Sequence, residues 1–200
     1  MTYRIYGDVN SGNCYKVKLL AEHLGLAYEW IAVDTLKKET QSPEFLRRNP
    51  NGKIPVLELP DGRCLPESNA ILHYLAEGSP YLQADRFERA QVLQWLFFEQ
   101  YSHEPYIATA RYIVRYLGRP ADMEGALQAK MAPGYKALRV MEALLRSHAF
   151  LVGERYTIAD IALFAYTHVA EEGGFTLAEF PGILEWIARV REQPGFVALG

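Results

Sequence analysis

The pattern that most restricts this chain lies in its first 33 residues. Tyr3-Arg4-Ile5-Tyr6 is a β-prone run that stops at Gly7. From Cys14 onward, Val17, Leu20, Ala21 and Leu24 recur at helical spacing, and Gly25 closes the helix. Tyr28 to Val33 is β-prone again, rich in aromatic and β-branched side chains. Two strands with a helix between them in about 30 residues make a βαβ unit, and such a crossover joins parallel strands. Further on, Ser42-Pro43-Glu44 opens a helix with serine as N-cap and proline at the first helical position. Val56 to Leu59, the turn Pro60-Asp61-Gly62 and the run Arg63-Cys64-Leu65 read as an antiparallel hairpin. Glu67 to Ala76 follows as a helix, with Ile71, Leu72 and Leu75 on one face. The expected order over residues 1–78 is β-α-β-α-β-β-α.

Gly78-Ser79-Pro80 breaks this alternation, and residues 79–85 read as a linker. Residues 86–200 then read as an all-helical domain. Arg86 to Leu117 is one long periodic stretch carrying Leu93, Leu96, Phe97 and Tyr101, and Gly118-Arg119-Pro120 ends it. Gly125 to Ser147 is a second, with Leu138, Met141, Leu144 and Leu145 as its apolar face; Pro133-Gly134 is expected to kink or split it. Thr157-Ile158-Ala159-Asp160 matches a capping box ahead of the apolar run from Ile161 to Val169. A last helix is expected from about Pro181 to Glu192. The fold class is therefore α/β plus all-α, a small open-sheet domain followed by a helical bundle.

Composition narrows the function classes. A net charge of −3 over 200 residues argues against a nucleic-acid partner, which would need a basic surface. Two cysteines cannot build a disulfide framework, so a reducing cytoplasmic setting is expected. There is no run of about 18 apolar residues, so no membrane span is expected. The start MTYRIYGDVNSG lacks a basic stretch followed by an apolar core, unlike a secretory signal. No metal-ligating set is evident, and no cofactor is expected.

Three stretches of the first domain could carry chemistry. Asn10-Ser11-Gly12-Asn13-Cys14-Tyr15-Lys16 lies where the first strand gives way to the first helix. Open α/β sheets collect ligands at the carboxyl ends of their strands, and a helix N-terminus offers free N–H groups there. Capping of the helix by Ser11 or Asn13 accounts for the same residues. In Asn49-Pro50-Asn51-Gly52-Lys53-Ile54-Pro55-Val56, a proline enters a strand. That suits either an irregular, cis junction exposing the Ile54 backbone or a plain rigid turn. Pro66-Glu67-Ser68-Asn69 opens the third helix, with a carboxylate and a hydroxyl placed in its first turn. Two helix mouths with an extended proline segment between them point to a binding site.

Taken together, these features resemble the cytosolic glutathione transferases, in a bacterial, theta- or nu-like form. The likeness covers nearly the whole chain. It rests on the strand and helix order, on Gly52-Lys53-Ile54-Pro55-Val56, on Glu67-Ser68, and on the Thr157-x-x-Asp160 box. It implies a thioredoxin-like domain that binds glutathione, a helical domain that completes a pocket for a small hydrophobic electrophile, and a homodimer. By the resemblance, Pro55 is the cis-proline, and Ile54 offers its N–H and C=O to the cysteinyl part of glutathione. Glu67 and Ser68 hold the γ-glutamyl end, and Lys53 lies near the glycyl carboxylate. Thr40 stands where several relatives have His or Gln. The electrophile pocket would draw on Tyr101, His103, Tyr106 and Tyr112; Tyr112, Arg115 and Tyr116 suit dimer contacts equally.

The sulfur of glutathione must be a thiolate to attack an electrophile. Lowering a thiol from about 8.5 to about 6.5 takes roughly 2.7 kcal/mol of selective anion stabilisation. One hydrogen bond to a charged group supplies about 1.5–3 kcal/mol, so a single donor beside a helix N-terminus is enough. Three residues compete for that role, in the order Ser11, Asn13, Cys14. Ser11 aligns with the serine of theta-like members, Asn13 with an asparagine of nu-like members, and Cys14 with the cysteine of the beta class. The Pro-Gly-Ala-Cys context of the beta class is absent. Tyr3 and Tyr6 lie too early, within the first strand. The expected activity is conjugation of glutathione to small hydrophobic electrophiles. Glutathione-dependent disulfide or peroxide reduction, and a non-enzymatic ligand-binding role, are the alternatives.

Overall fold

Strand β1 (Tyr3–Gly7) and strand β2 (Tyr28–Ala32) run parallel, with Tyr3 opposite Tyr28 and Gly7 opposite Ala32. Helix α1 (Gly12–His23) connects them, so the expected βαβ unit is present in the computed structural model, which describes residues 2–200. After a short 3₁₀ turn at Glu39–Gln41 comes α2 (Pro43–Arg48), capped as expected by Ser42, whose hydroxyl accepts the Phe45 N–H. Strands β3 (Val56–Glu58) and β4 (Cys64–Pro66) form the hairpin, and α3 (Ser68–Ala76) follows. The sheet order is β2-β1-β3-β4, with β3 antiparallel to both β1 and β4.

The two-residue period of the strands sorts this unit into layers. Ile5 and Leu57 face Val17 and Ala21 of α1 and Ile71 of α3. Their neighbours Tyr6 and Val56 face the opposite side, with Phe45 of α2 and Val33. Helices α1 and α3 therefore lie side by side on one face and α2 covers the other. That brings the N-termini of α1 and α3 together.

Residues 194–200, placed with the helical domain by the sequence reading, join this first unit instead. The chain divides into Met1–Ser79 with Pro194–Gly200, and Pro80–Gln193. The tail is tied down on α1. The Tyr15 hydroxyl donates to the Val197 carbonyl at 2.7 Å, and His23 Nδ1 meets the Pro194 carbonyl at 2.7 Å. These contacts span about nine-tenths of the chain, beyond the reach of any local sequence signal.

The second unit contains α4 (Arg86–Phe98), α5 (Glu104–Arg111), α6 (Glu124–Leu145), α7 (Ile158–Thr167) and α8 (Pro181–Arg191). The stretch expected as one regular helix from Arg86 has π-helical turns at Glu99–His103 and Tyr112–Tyr116. Pro105 accounts for the first: it has no N–H to offer, and the Glu104 N–H bonds five residues back to the Glu99 carbonyl. The buried face also differs from the expected one. Val92, Trp95 and Leu96 point inward, whereas Phe97 and Tyr101 are exposed. By contrast, α6 runs unbroken through Pro133. A proline costs one ladder bond, and tight packing keeps the helix going: a Cβ on Gly134 would lie 2.5 Å from the Phe175 ring.

Helix α7 is buried at every position from Ile158 to Thr167, the signature of a central core helix. The capping box forms as expected. Asp160 Oδ2 accepts the Thr157 N–H at 2.9 Å and its hydroxyl at 3.1 Å. Asp160 Oδ1 accepts the Leu151 N–H at 2.9 Å and the Trp186 indole N–H at 3.0 Å. One carboxylate thus ties α7 to α8 and to the loop ahead of it. Burial still pushes this carboxyl up to about 6, against the pull of those four donors.

Candidate functional site

The N-terminus of α1 is built by Ser11, Asn13 and Cys14, but they do different things. Ser11 is the N-cap, and its hydroxyl accepts the Cys14 N–H at 3.4 Å. Cys14 is wholly buried, and its thiol packs so close to Gly7 that a Cβ there would sit 2.9 Å from the sulfur. Burial pushes the Cys14 thiol up to about 12. A buried neutral thiol is a poor nucleophile, so this geometry runs counter to a catalytic Cys14. Asn13 is half-buried, and its Oδ1 accepts from Lys16 Nζ at 2.8 Å and from the Ser68 hydroxyl at 3.2 Å. Lys16 Nζ also reaches Ser68 Oγ at 3.5 Å. Asn13, Lys16 and Ser68 are therefore in mutual contact and join the heads of α1 and α3.

The Ile54–Pro55 peptide bond is cis. Pairing of β3 with β1 begins at Val56, opposite Tyr6, so the Ile54 N–H and C=O stand outside the ladder. The loop before it is held by Asn49, which opens the stretch marked in the sequence but was given no role there, and by Gln41. Asn49 donates through Nδ2 to the Lys53 carbonyl at 2.7 Å, and its Oδ1 accepts the Asn51 N–H at 3.0 Å. Gln41 Nε2 donates to the Gly52 carbonyl and to Thr40 Oγ1, both at 3.3 Å. Gly52 has φ +62, the left-handed conformation that favours glycine, and a Cβ there would also push the end of the Gln41 side chain aside. Thr40 is buried beneath this loop, and Lys53 is exposed. An asparagine four residues ahead of Lys53 is the signal that could have marked Asn49, since such side chains commonly bond nearby backbone.

Glu67 was expected in the first turn of α3. It is instead the N-cap, with φ 71 and ψ 110, while its carbonyl accepts the Ile71 N–H. A non-glycine residue at such angles costs on the order of 1–3 kcal/mol, and such strain concentrates at functional sites. The consequence is positional: the Glu67 carboxylate is exposed at the mouth of α3, beside the buried Ser68. The first unit thus gathers at one corner two helix N-termini, an exposed carboxylate and a strand-edge amide and carbonyl. That set complements a zwitterionic, peptide-like ligand.

In the second unit, Tyr101 and Tyr106 line a cavity of about 230 Å³ with Phe98, Ser102, Pro133 and Lys136. Lys130 Nζ lies 5.8 Å from the centre of the Tyr106 ring. His103, expected beside them, is turned into the core, where its Nε2 meets Thr167 Oγ1 at 2.9 Å. Its place in the π turn, rather than on a regular helical face, separates it from Tyr101 and Tyr106. Tyr112 is apart from this cavity and stacks on Tyr116, ring centres 5.4 Å apart. Among the described residues, no group of three or more His, Cys, Asp and Glu could hold a metal ion. Nor is any helix among them long and apolar enough to cross a membrane.

A mixed four-stranded sheet with a cis-proline ahead of its third strand, followed by a helical unit, defines a thioredoxin-like protein with a helical second domain. Residues 1–77 match the family model for the glutathione S-transferase N-terminal domain, and residues 95–194 match that for the C-terminal domain. A glutathione S-transferase crystal structure from Pseudomonas fluorescens superimposes with a TM-score of 0.98 at 58% identity, covering 100% of this chain and 99% of that one. Disulfide-bond oxidoreductase YfcG of Escherichia coli is 33% identical over 189 residues, 91% of this chain and 87% of that protein. A glutathione transferase, URE2P6, from Phanerochaete chrysosporium, solved with oxidized glutathione, has a TM-score of 0.87 at 29% identity, covering 97% of this chain and 92% of that one. The chain belongs to the glutathione S-transferase family.

Proposed function

We propose that this glutathione transferase joins the sulfur of glutathione to small hydrophobic electrophiles, a detoxifying conjugation. The observation that carries the reading is the corner where α1 and α3 meet. There Ser68 stands at the head of one helix and Asn13 at the head of the other, with Glu67 exposed beside them. The γ-glutamyl carboxylate would lie on the Ser68 hydroxyl and the amides at the α3 N-terminus, with its ammonium against Glu67. The cysteinyl amide would pair with Ile54, as an added strand pairs with a sheet edge. Lys53 and the Thr40 region would meet the glycyl end. The sulfur then lies at the α1 N-terminus, where developing negative charge is favoured. In the reaction the thiolate attacks the electrophilic carbon, a carbon–sulfur bond forms, and the leaving group departs with the electron pair; no further cofactor takes part.

Retention on immobilised glutathione, followed by turnover of a chloronitrobenzene with release of chloride, tests the reading. Ser68→Ala should weaken retention. No binding at millimolar glutathione would sink it.

A second reading, glutathione-dependent disulfide reduction, is favoured by the likeness to the Escherichia coli disulfide-bond oxidoreductase. With Cys14 buried, two glutathione molecules would supply both sulfurs: the first thiolate breaks the substrate disulfide, expels one thiol and forms a mixed disulfide, and the second attacks the glutathione sulfur of that bond, expels the other thiol and forms oxidised glutathione. Turnover of hydroxyethyl disulfide exceeding that of the chloronitrobenzene would select this reading. We further propose a cytoplasmic homodimer, supported by the exposed aromatics Phe87, Phe97 and Tyr101 along and just beyond α4. Light scattering on the purified protein tests the assembly.

A further inference from the structure

The cavity in the second unit is shaped by what α6 leaves out. Pro133, Lys136, Ala137 and Val140 recur at three- and four-residue spacing, which sets them along one face of that helix. Pro133 and Ala137 are short, and the rings of Phe98, Tyr101 and Tyr106 complete the lining. Tyr101 lies within the π turn at Glu99–His103, and Phe98, just before it, meets Trp95 edge-on with ring centres 5.1 Å apart. The volume is about 230 Å³. An apolar cavity of about 150 Å³ takes benzene, so there is room here for one substituted ring.

The charge at this wall has a single sign. Lys136 lines the cavity, and Lys130, on the same side of α6, lies 5.8 Å from the centre of the Tyr106 ring. Neither lysine enters a salt bridge among the described residues. The neighbouring acids are engaged or placed elsewhere. Glu99 is wholly buried and accepts from Gln100 Nε2 at 2.9 Å. Glu142 accepts the Gly182 and Ile183 N–H groups at the head of α8. Glu104 stands two residues from both Ser102 and Tyr106, a spacing that does not bring helical side chains onto one face. The hydroxyls of Tyr101, Ser102 and Tyr106 add groups able to donate. Aromatic walls beside an unpaired ammonium complement a flat ring that carries an anion. A neutral ring would gain the stacking alone.

We propose that Lys136 is a specificity-determining residue, making this cavity a site for small aromatic acids, single rings bearing a carboxylate or sulfonate, in preference to neutral aromatics. The proposal deepens the conjugation reading and rests on it for one point, that the occupant is the electrophile; binding itself needs no glutathione. On that reading the favoured electrophiles are halogenated nitroaromatic acids. The thiolate attacks the carbon that bears the halogen, the carbon–sulfur bond forms, and halide leaves with the bonding pair.

Equilibrium dialysis of 4-nitrobenzoate against 4-nitrobenzamide, on the full-length protein without glutathione, tests the binding. The benzoate should bind about three- to fivefold tighter, the scale of one partly exposed ion pair. Salt at about 1 M, where the Debye length is about 3 Å, should narrow that gap. Lys136→Met should abolish most of the preference, Lys136→Arg should keep it, and Lys136→Glu should reverse it. Turnover of 4-chloro-3,5-dinitrobenzoate and of its methyl ester with glutathione should show the same change in the acid-to-ester ratio of kcat/KM. Lys136 is exposed, and thermal midpoints check that each variant folds. A benzamide that binds as tightly as the benzoate overturns the proposal, as does an unmoved ratio in Lys136→Met. An equal fall in Arg139→Met overturns it too, because that cation lies on α6 outside the cavity lining and would report general surface charge. Benzoate preference that depends on Lys136, with neither chloro compound turned over, upholds the aromatic-acid site and overturns the conjugation reading instead.

Discussion

Replacing Asp160 by asparagine keeps the shape of the side chain and removes one acceptor edge. In the native protein, Oδ1 serves Leu151 N and Trp186 Nε1, and Oδ2 serves Thr157 N and Thr157 Oγ1. Asparagine retains one oxygen, best placed on the edge shared by Leu151 and Trp186, whose donors cannot turn away. Its NH₂ then faces Thr157, where the hydroxyl can rotate to accept but the backbone N–H is left opposing another donor. One buried orphan N–H costs about 1–3 kcal/mol, and weakening two charge-assisted bonds to neutral ones adds about 1 kcal/mol more. The expected loss for Asp160→Asn is about 2–4 kcal/mol at pH 7. The loss should also grow on acidification. Burial raises the Asp160 carboxyl from 3.8 to about 6, so below that value the folded protein binds a proton that the unfolded chain does not yet hold. This contribution to wild-type stability is therefore fully present at low pH and fades as pH rises through about 6. Asparagine does not titrate, so the gap between the two proteins should widen by about 1 kcal/mol between pH 7 and pH 5. Urea unfolding followed by tryptophan fluorescence at both pH values measures it. A loss below about 1 kcal/mol, or a gap that stays constant with pH, would refute the reasoning.

Three further outcomes follow from the same structure. His168, at the other end of α7, stacks on Phe164 and is lowered to about 4 by burial, so its contribution is present above 6.5 and lost as pH falls. His168→Gln should spare the protein up to about 2 kcal/mol of its acid destabilisation between pH 7 and pH 5, read from the same unfolding curves. Gly134→Ala should destabilise by about 1–2 kcal/mol despite its better helix propensity, because the new methyl meets the Phe175 ring; calorimetry would show a lowered melting temperature. Iodoacetamide should modify the half-buried Cys64 well before Cys14, with the second adduct in the mass spectrum appearing only on unfolding.

The βαβ start, the β3–β4 hairpin, the α2 cap and the Thr157–Asp160 box were all legible because each is governed by residues within a few positions of one another. Periodicity placed Val17, Ala21 and Ile71 in the core for the same reason. It failed along α4, where Phe97 and Tyr101 lie on the face away from the core. Hydrophobicity alone does not tell a core face from an exposed aromatic one. It failed at His103 because a π turn rotates every later side chain relative to a regular helix. At the candidate site, the residue types were visible at Ser11, Asn13, Ile54, Glu67 and Ser68, but their division of labour was not. That division depends on a lysine in the middle of α1 whose side chain lies buried against α3, and on an unusual backbone at Glu67. Neither leaves a mark in local spacing.

The tail contacts on α1 also bear on the order in which the protein is made. Domains commonly fold as they leave the ribosome, earlier segments first. Here the first unit closes only when Pro194 and Val197 reach His23 and Tyr15, after the whole helical unit has been synthesised. The first unit is thus clasped only after the helical unit has been made, and the helix that heads the candidate site is held near its start and at its end by residues 194–197. A nascent chain halted at any point before residue 194 would expose α1 without its clasp, which ties assembly of the site to synthesis of the helical unit.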